Sequence, residues 1–476
     1  MRVAAILLVA VLVSGCGASR AGYAPSSAGS PSASPEDLTD LLQRGCFQCL
    51  ESAYEGAMAG EHRGAAFEAA ALLTLRSKEL GLPFDVWQAR AQELGLRDPA
   101  WGSYLDIISA IPSDPMSGGQ HLIEETEGRM RARKSITFWR DELKHGALSP
   151  LFRAYLDLAL VCAFGTLDVN ADSFSGPLDP MTETPLYQYR LGLCGVSARE
   201  RLGTLKAHHP EFVDADYALG RAEVEDPIAP DPESGLKHLE LARAAFPASA
   251  AIVTTIGNVH RAWEDWEAAL VAYDLALART PDHPEAAIGR IICLSRLSRS
   301  AEAISAATAL IDHGRQRRGE AHYWRAWNHL TLGDYDAARA DADRARSLMV
   351  NSAVFVLSGT VDWRLRKLTS AEADFQQALT IDFGECEAAF DLAVVRDELG
   401  KQREALAAFQ QARQCLDLSR TLRREAITKI NAGPGSATMK ARAAAIHERV
   451  LAELDERSRE VERALSVLEK VVGGGE

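Results

Sequence analysis

The sequence predicts an all-α chain, a solenoid of helical hairpins with a divergent helical N-terminal half and a C-terminal capping helix. Three observations carry that prediction. Between Ala250 and Leu416 small residues recur at Gly257, Ala326, Gly359 and Ala393, with Ile291 in the second slot, at spacings of 34, 35, 33 and 34. Twelve residues after each stands an alanine (Ala269, Ala303, Ala338, Ala371, Ala405), and seven further on stand Ala276, Leu310, Ala345, Ala378 and Ala412. No strand-like alternation of any length occurs, and Ala, Leu, Glu and Arg are abundant in a chain that is 47% hydrophobic but only 7% aromatic. Two helices approach closely only where side chains are small, and a short unit buries its apolar face only when a neighbour stacks on it. Five such units imply a solenoid, which grows by addition, so 476 residues need no second globular core.

In chain order, residues 1–15 read MRVAAILLVAVLVSG, one positive charge and then an apolar run too short to remain as a membrane span. This is an export signal, and Val13-Ser14-Gly15-Cys16 resembles the bacterial lipobox. That resemblance implies lipidation of Cys16 and, with Gly17 following it, an outer-membrane address in the cell envelope. A plain signal peptide with an incidental cysteine is the alternative. Residues 16–35 are rich in Gly, Ser, Ala and Pro, cannot bury enough apolar surface to order themselves, and read as a flexible tether.

Residues 36–182 form the divergent helical region. Amphipathic helices are expected over Glu36–Ala59, Glu61–Leu80, Phe84–Leu94, Trp101–Ile111, Leu122–Leu143 and Ser149–Phe164, separated by Gly- and Pro-containing turns. Asp168, Asn170 and Asp172 alternate as calcium ligands do, but Ser173 stands where the loop needs Gly and Asp179 where it needs Glu, so a polar turn is expected. Beyond Cys16 there are seven cysteines, and an odd number excludes a full disulfide framework. For Cys46 and Cys49 a redox motif needs a strand before it and haem attachment a His after it, where Leu50 stands. Buried helix cysteines are expected there, with a structural disulfide as the alternative.

Residues 183–416 form the repeat region. A degenerate unit is expected over Thr184–Pro210, and a further one from Val213 to Pro247 carries Gly220, Gly235, Leu239 and Ala242 around a proline-rich insertion. The stretches AIVTTIGNVHRAWEDWEAALVAYDLALARTPDH and EAHYWRAWNHLTLGDYDAARADADRARSL resemble the tetratricopeptide repeat. The resemblance implies that the first helix of each unit lines a concave face, at positions three before, one after and four after the small residue. Those positions are Thr254, Asn258 and Arg261; Ile288, Ile292 and Ser295; Tyr323, Trp327 and Leu330; Val356, Thr360 and Trp363; Phe390, Val394 and Asp397. Thr254 occupies the place of the lysine with which some members clamp a peptide carboxylate, so that use is not expected. The partner-binding residues expected are Asn258, Arg261, Tyr323, Trp327, Trp363, Arg364 and Phe390, since exposed aromatics beside arginine anchor interfaces. Core filling by Trp327 and Trp363 is the competing reading.

Residues 417–476 are expected to cap the last unit. Leu451, Leu454, Ser458, Val461, Leu465, Leu468 and Val472 step by three and four, which suits either a cap over the final apolar edge or a homodimer seam. The formal net charge of −14 excludes attraction to nucleic acid or anionic lipid by charge. No nucleophile elbow, zinc-protease helix, phosphate loop or dinucleotide glycine pattern occurs, and His208-His209 beside Pro210 reads as a solvated turn. No enzyme activity, cofactor or metal is expected. The expectation is a lipid-anchored scaffold for a protein or peptide; the alternatives are capture of glycans on the aromatics and a structural dimer.

Overall fold

A computed structural model describes residues 34–111, 136, 138–164, 183–194, 197–225, 230–314, 316–433 and 435–473. The export segment, Cys16, most of the tether, the Asp168–Asp172 stretch and most of the Leu122–Leu143 helix lie outside the described residues. Among the described residues there is no strand.

The N-terminal region contains α1 (Pro35–Arg44), α2 (Phe47–Ala59), α3 (Arg63–Glu79), α4 (Asp85–Gly95), α5 (Gly102–Ala110) and α6 (Pro150–Phe164). A single helix over Glu36–Ala59 does not form, because the chain breaks at Gly45, whose φ of 64° is left-handed. Leu186 packs against that glycine so closely that an added Cβ would lie 2.5 Å from it. Cys46 restarts the helix as N-cap, its sulfur accepting from the Cys49 backbone N–H. Cys46 and Cys49 are joined in a disulfide, and so are Cys162 with Cys194 and Cys386 with Cys415. The expected unbonded helix cysteines at 46 and 49 are therefore corrected to a disulfide buried against Tyr189, Leu202 and Phe212. Cys293 is free and buried, and burial pushes its thiol up to about 12, which keeps it protonated and unreactive.

Two short hairpins follow, α7 (Pro185–Leu193) with α8 (Ala198–His208) and α9 (Ala215–Val224) with α10 (Pro232–Ala245). The five regular units are α11 (Ala250–Ala262) with α12 (Trp266–Arg279), α13 (Pro284–Arg296) with α14 (Ser300–His313), α15 (Arg318–Leu332) with α16 (Tyr335–Leu348), α17 (Ser352–Arg364) with α18 (Leu368–Ile381), and α19 (Cys386–Glu398) with α20 (Gln402–Ala432). The last element is α21 (Ala437–Gly473). No break falls at 416: α20 runs unbroken for 31 residues, out of the fifth unit and beyond it.

The first, second, fourth and fifth units match bulk against smallness, while the third sets Ala326 against Ala342. The Tyr273 ring fills the space where a Cβ on Gly257 would come within 2.8 Å, and Phe375 does the same to Gly359. In the second unit the order reverses, with a fully buried Ile291 in the small slot and Ala307 where the ring would be. A large residue at 291 is accommodated because its partner position gave up the volume. The turn inside each unit also repeats: Glu264, Ser298, Gly333, Arg366 and Gly400 all have left-handed φ, from 58° to 80°. The residue after each donates its N–H to the carbonyl five back, as Asp265 does to His260 and Lys367 to Asp362, closing the helix end. Glu61, between α2 and α3, has φ 58° and the same bond from His62 to Ala57, so the first long hairpin uses the same turn.

The N-terminal region and the first units share one apolar core, in which Phe67, Leu73 and Tyr155 join Tyr217, Leu239, Ile252 and Ile256. Beside it lies a fully buried ionic lock. Arg76 of α3 pairs with Asp214, which precedes α9; Arg190 of α7 pairs with Glu79 at 2.5 Å; and Tyr155 of α6 donates to Glu79 at 3.2 Å. The Arg76 guanidinium lies 3.4 Å from the Tyr189 ring centre. Two cations thus face two carboxylates, with no side chain of the four more than 4% exposed.

Candidate partner-binding surface

Along the series the first helices approach one another directly, α11 to α13, α13 to α15, α15 to α17 and α17 to α19, more closely than the second helices do. The first helices therefore lie on the inside of the curve. What fixes their facing is a ladder of polar bonds from each second helix to its neighbours. Asp274 accepts from Arg290 at 2.6 Å; Asp341 accepts from Arg325 at 2.7 Å and bonds His322 at 2.8 Å; Asp374 pairs with Arg346 at 2.9 Å and accepts from Ser358 at 2.7 Å. Burial raises the Asp341 carboxyl, but Arg325 and His322 outweigh it and hold the group below its usual range. On the first helix of the fifth unit, burial and then Glu387 push the Asp391 carboxyl up to about 7 against the pull of Arg457 and Arg364.

The expected groove residues divide on this frame. Thr254 and Ile288 are buried and line nothing. Asn258 is half-buried and its Oδ1 accepts from the Tyr273 hydroxyl at 2.7 Å, while Arg261 also faces that hydroxyl. Both act inside the first unit, holding its bulky ring. Phe390 packs edge-on to Phe409 at 5.9 Å and is covered by the Arg457 guanidinium of α21 at 4.3 Å.

Of the aromatics of the third and fourth units, Trp327 is open, while Tyr323, Trp324 and Trp363 are half-buried. Tyr323 and Trp324 meet edge to face at 5.4 Å, and Trp324 and Trp327 at 6.4 Å. Trp327 is 40% exposed, which argues against core filling as its role. Trp363 is half-buried; its Nε1–H donates to Glu398 at 3.0 Å, which orients the ring, and Arg366 secures the same carboxylate at 2.6 Å. Arg364 lies 5.7 Å from the Trp363 ring, and Arg296 lies 5.9 Å from that of Trp266. Burial, and next the charge of Glu387, keep the Tyr323 hydroxyl protonated. The surface offers π faces, an arginine rim and hydrogen-bond donors, a set suited to recognition. Trp324, Arg296 and Glu398 escaped sequence reasoning. Trp324 was within reach, since it lies three residues from Trp327 on one helix. Among the described residues no group of His, Cys, Asp and Glu is placed to hold a metal ion, and no helix is long and apolar enough to cross a membrane.

Paired helices at a period near 34, left-handed turns at matching positions and first helices on the inside of the curve define a tetratricopeptide-type solenoid. No protein-family model matches the chain, and no curated protein matches it. Among solved structures it is similar to yeast Tom70 at 13% identity, over 91% of this chain and 93% of that one, with a TM-score of 0.40. It is also similar to a tetratricopeptide repeat protein of Parabacteroides merdae, at 14% identity over 55% of this chain and 99% of that one, TM-score 0.40. A third is YrrB, a repeat protein with an unusual peptide-binding site, at 19% identity over 37% of this chain and 91% of that one, TM-score 0.31.

Proposed function

We propose that the chain is a membrane-tethered scaffold that holds a protein or peptide against the inner face of its solenoid. The observation that carries this reading is the exposed ring of Trp327, joined edge to face through half-buried Trp324 to Tyr323, with Trp363 and Arg364 on the next unit. Large exposed rings are costly in water unless a partner covers them. Recognition, with no turnover of the bound partner, is the mechanism. The chain divides into an export signal (1–15), a tether from Cys16 (16–35), a helical platform (36–182), the repeats (183–416) and the terminal helices (417–476). Three disulfides support an oxidising compartment, which agrees with export and with lipidation at Cys16 into the outer membrane.

The test is affinity capture of the full chain from membranes beside a variant carrying Tyr323→Ala, Trp327→Ala and Trp363→Ala. The expected result is one co-purifying protein that the variant loses at equal expression; retention of every captured protein by the variant removes the inner face from the argument. Stacking of sugars on the same rings is the competing reading. It predicts quenching of tryptophan fluorescence by a glycan, abolished in Trp363→Ala. For the anchor, a Cys16→Ser chain should leave the membrane fraction; its persistence there refutes lipidation at that residue.

A further inference from the structure

The last helix is fastened at its two ends by opposite kinds of force. Near its C-terminus Val461, Leu465 and Leu468 are buried in one cluster with Leu392, Phe409 and Leu416 of the fifth unit. The antiparallel run against α20 continues through Arg413–Glu462 at 3.9 Å and Arg420–Asp455 at 2.6 Å, with Arg423 beside His447 at 3.2 Å. The far end of this hairpin returns to the start of the regular series. There Arg442 pairs with Asp265 at 3.3 Å and lies 4.7 Å from the Trp263 ring; Arg449 pairs with Glu264; and Ser436 bonds Glu233 of α10. The arginines are about half exposed, at 42% and 52%.

Arg442 covers Trp263, next to the end of the inner helix of the first unit, and Arg457 covers Phe390 in the inner helix of the fifth. These arginines are fifteen residues apart on one straight helix, a distance of about 22 Å at 1.5 Å per residue. One helix therefore joins the inner helix of the first unit to that of the fifth, and the third unit, with Trp327, belongs to the stretch of solenoid between those two attachments. Burial fixes one end whatever the salt. Exposed ion pairs hold the other, and these are individually weak and screened by salt.

We propose that α21 is a latch: it closes the solenoid into a ring across the inner face, pivots on the fifth unit, and is released at the Glu233, Glu264 and Asp265 corner of the first. Opening is a relaxation of the solenoid's curvature, and it widens the way to Trp327 without unfolding any unit. The test uses the full chain, with small-angle scattering for the maximum dimension and acrylamide quenching of tryptophan for access. Arg442→Glu with Arg449→Glu should lengthen the particle and increase quenching, and adding Glu264→Arg with Asp265→Arg should restore both values. Wild-type chain in about 1 M NaCl, where the Debye length is about 3 Å, should open likewise and covers the case in which the reversed variant loses helicity. Unchanged dimension and quenching at high salt, or a reversal that the compensating pair leaves uncorrected, overturns the latch.

Discussion

Removing one carboxylate from the lock between the N-terminal region and the repeats should loosen the whole junction. Arg76 and Asp214 are each 0% exposed, and Arg190 and Glu79 complete a neutral set of two cations and two anions. Asp214→Asn keeps the shape and some hydrogen bonding but leaves a buried guanidinium without its counter-charge. Loss of a hydrogen bond alone costs about 1 kcal/mol, whereas an uncompensated buried charge costs about 3–5 kcal/mol, so the charge decides. Replacing both partners with apolar side chains of similar volume, Arg76→Met with Asp214→Leu, should recover most of that loss. The shortfall is about 1–2 kcal/mol, because the stacking of Arg76 on Tyr189 goes too. Solenoids do not unfold as one unit, so the assay is amide hydrogen exchange read on peptides from α3 and α9. The single variant should exchange about two to four orders of magnitude faster there, at 1.4 kcal/mol per factor of ten. A single variant within tenfold of wild type, or a double variant no slower than the single, refutes the electrostatic account.

Further outcomes follow from other sites. Asp391 is raised from an ordinary 3.8 to about 7, so the folded chain binds the extra proton and stability falls as pH rises from about 4 to about 7. Asp391→Asn should therefore stabilise the fifth unit at pH 8, by up to about 4 kcal/mol, and have little effect near pH 4; thermal melts across pH check the sign. Ser298 holds φ 58° with a side chain, so Ser298→Gly should raise stability by about 0.5–1 kcal/mol in a urea melt, whereas an alanine at Gly359 should lower it by about 1–3 kcal/mol through Phe375. A chain with Cys16→Ser should show no reactive thiol when native and one, Cys293, when unfolded without reductant.

The repeat was legible because it is written in small residues, whose only use at those positions is to let helices touch. The reciprocal volumes at Ile291 and Ala307 were legible in the same columns once both were read together. The polar bonds left a partial trace, since Asp341 and Asp374 stand at one repeat position, fifteen residues after Ala326 and Gly359, and only their partners were missing. The lock left none. Arg76, Arg190 and Asp214 look in sequence like any solvated charge, and only the fold buries them. Groove positions transferred by rule failed at Thr254 and Ile288, which packing buries, because a positional rule carries no account of what covers each site. The apolar seam of α21 was visible, but Arg442 and Arg449 meet residues nearly two hundred positions earlier, a distance no local pattern spans. A boundary at 416 was drawn where the repeat ended, yet the helix itself continues.

The bond between Cys162 and Cys194 ties the end of α6 to the end of α7. Any peptide bond cut between those two residues would leave both fragments covalently joined, so proteolytic nicking there severs the backbone without dividing the molecule. Such damage would pass unseen on a gel until a reductant was added, and the N-terminal helices and the solenoid would remain one particle.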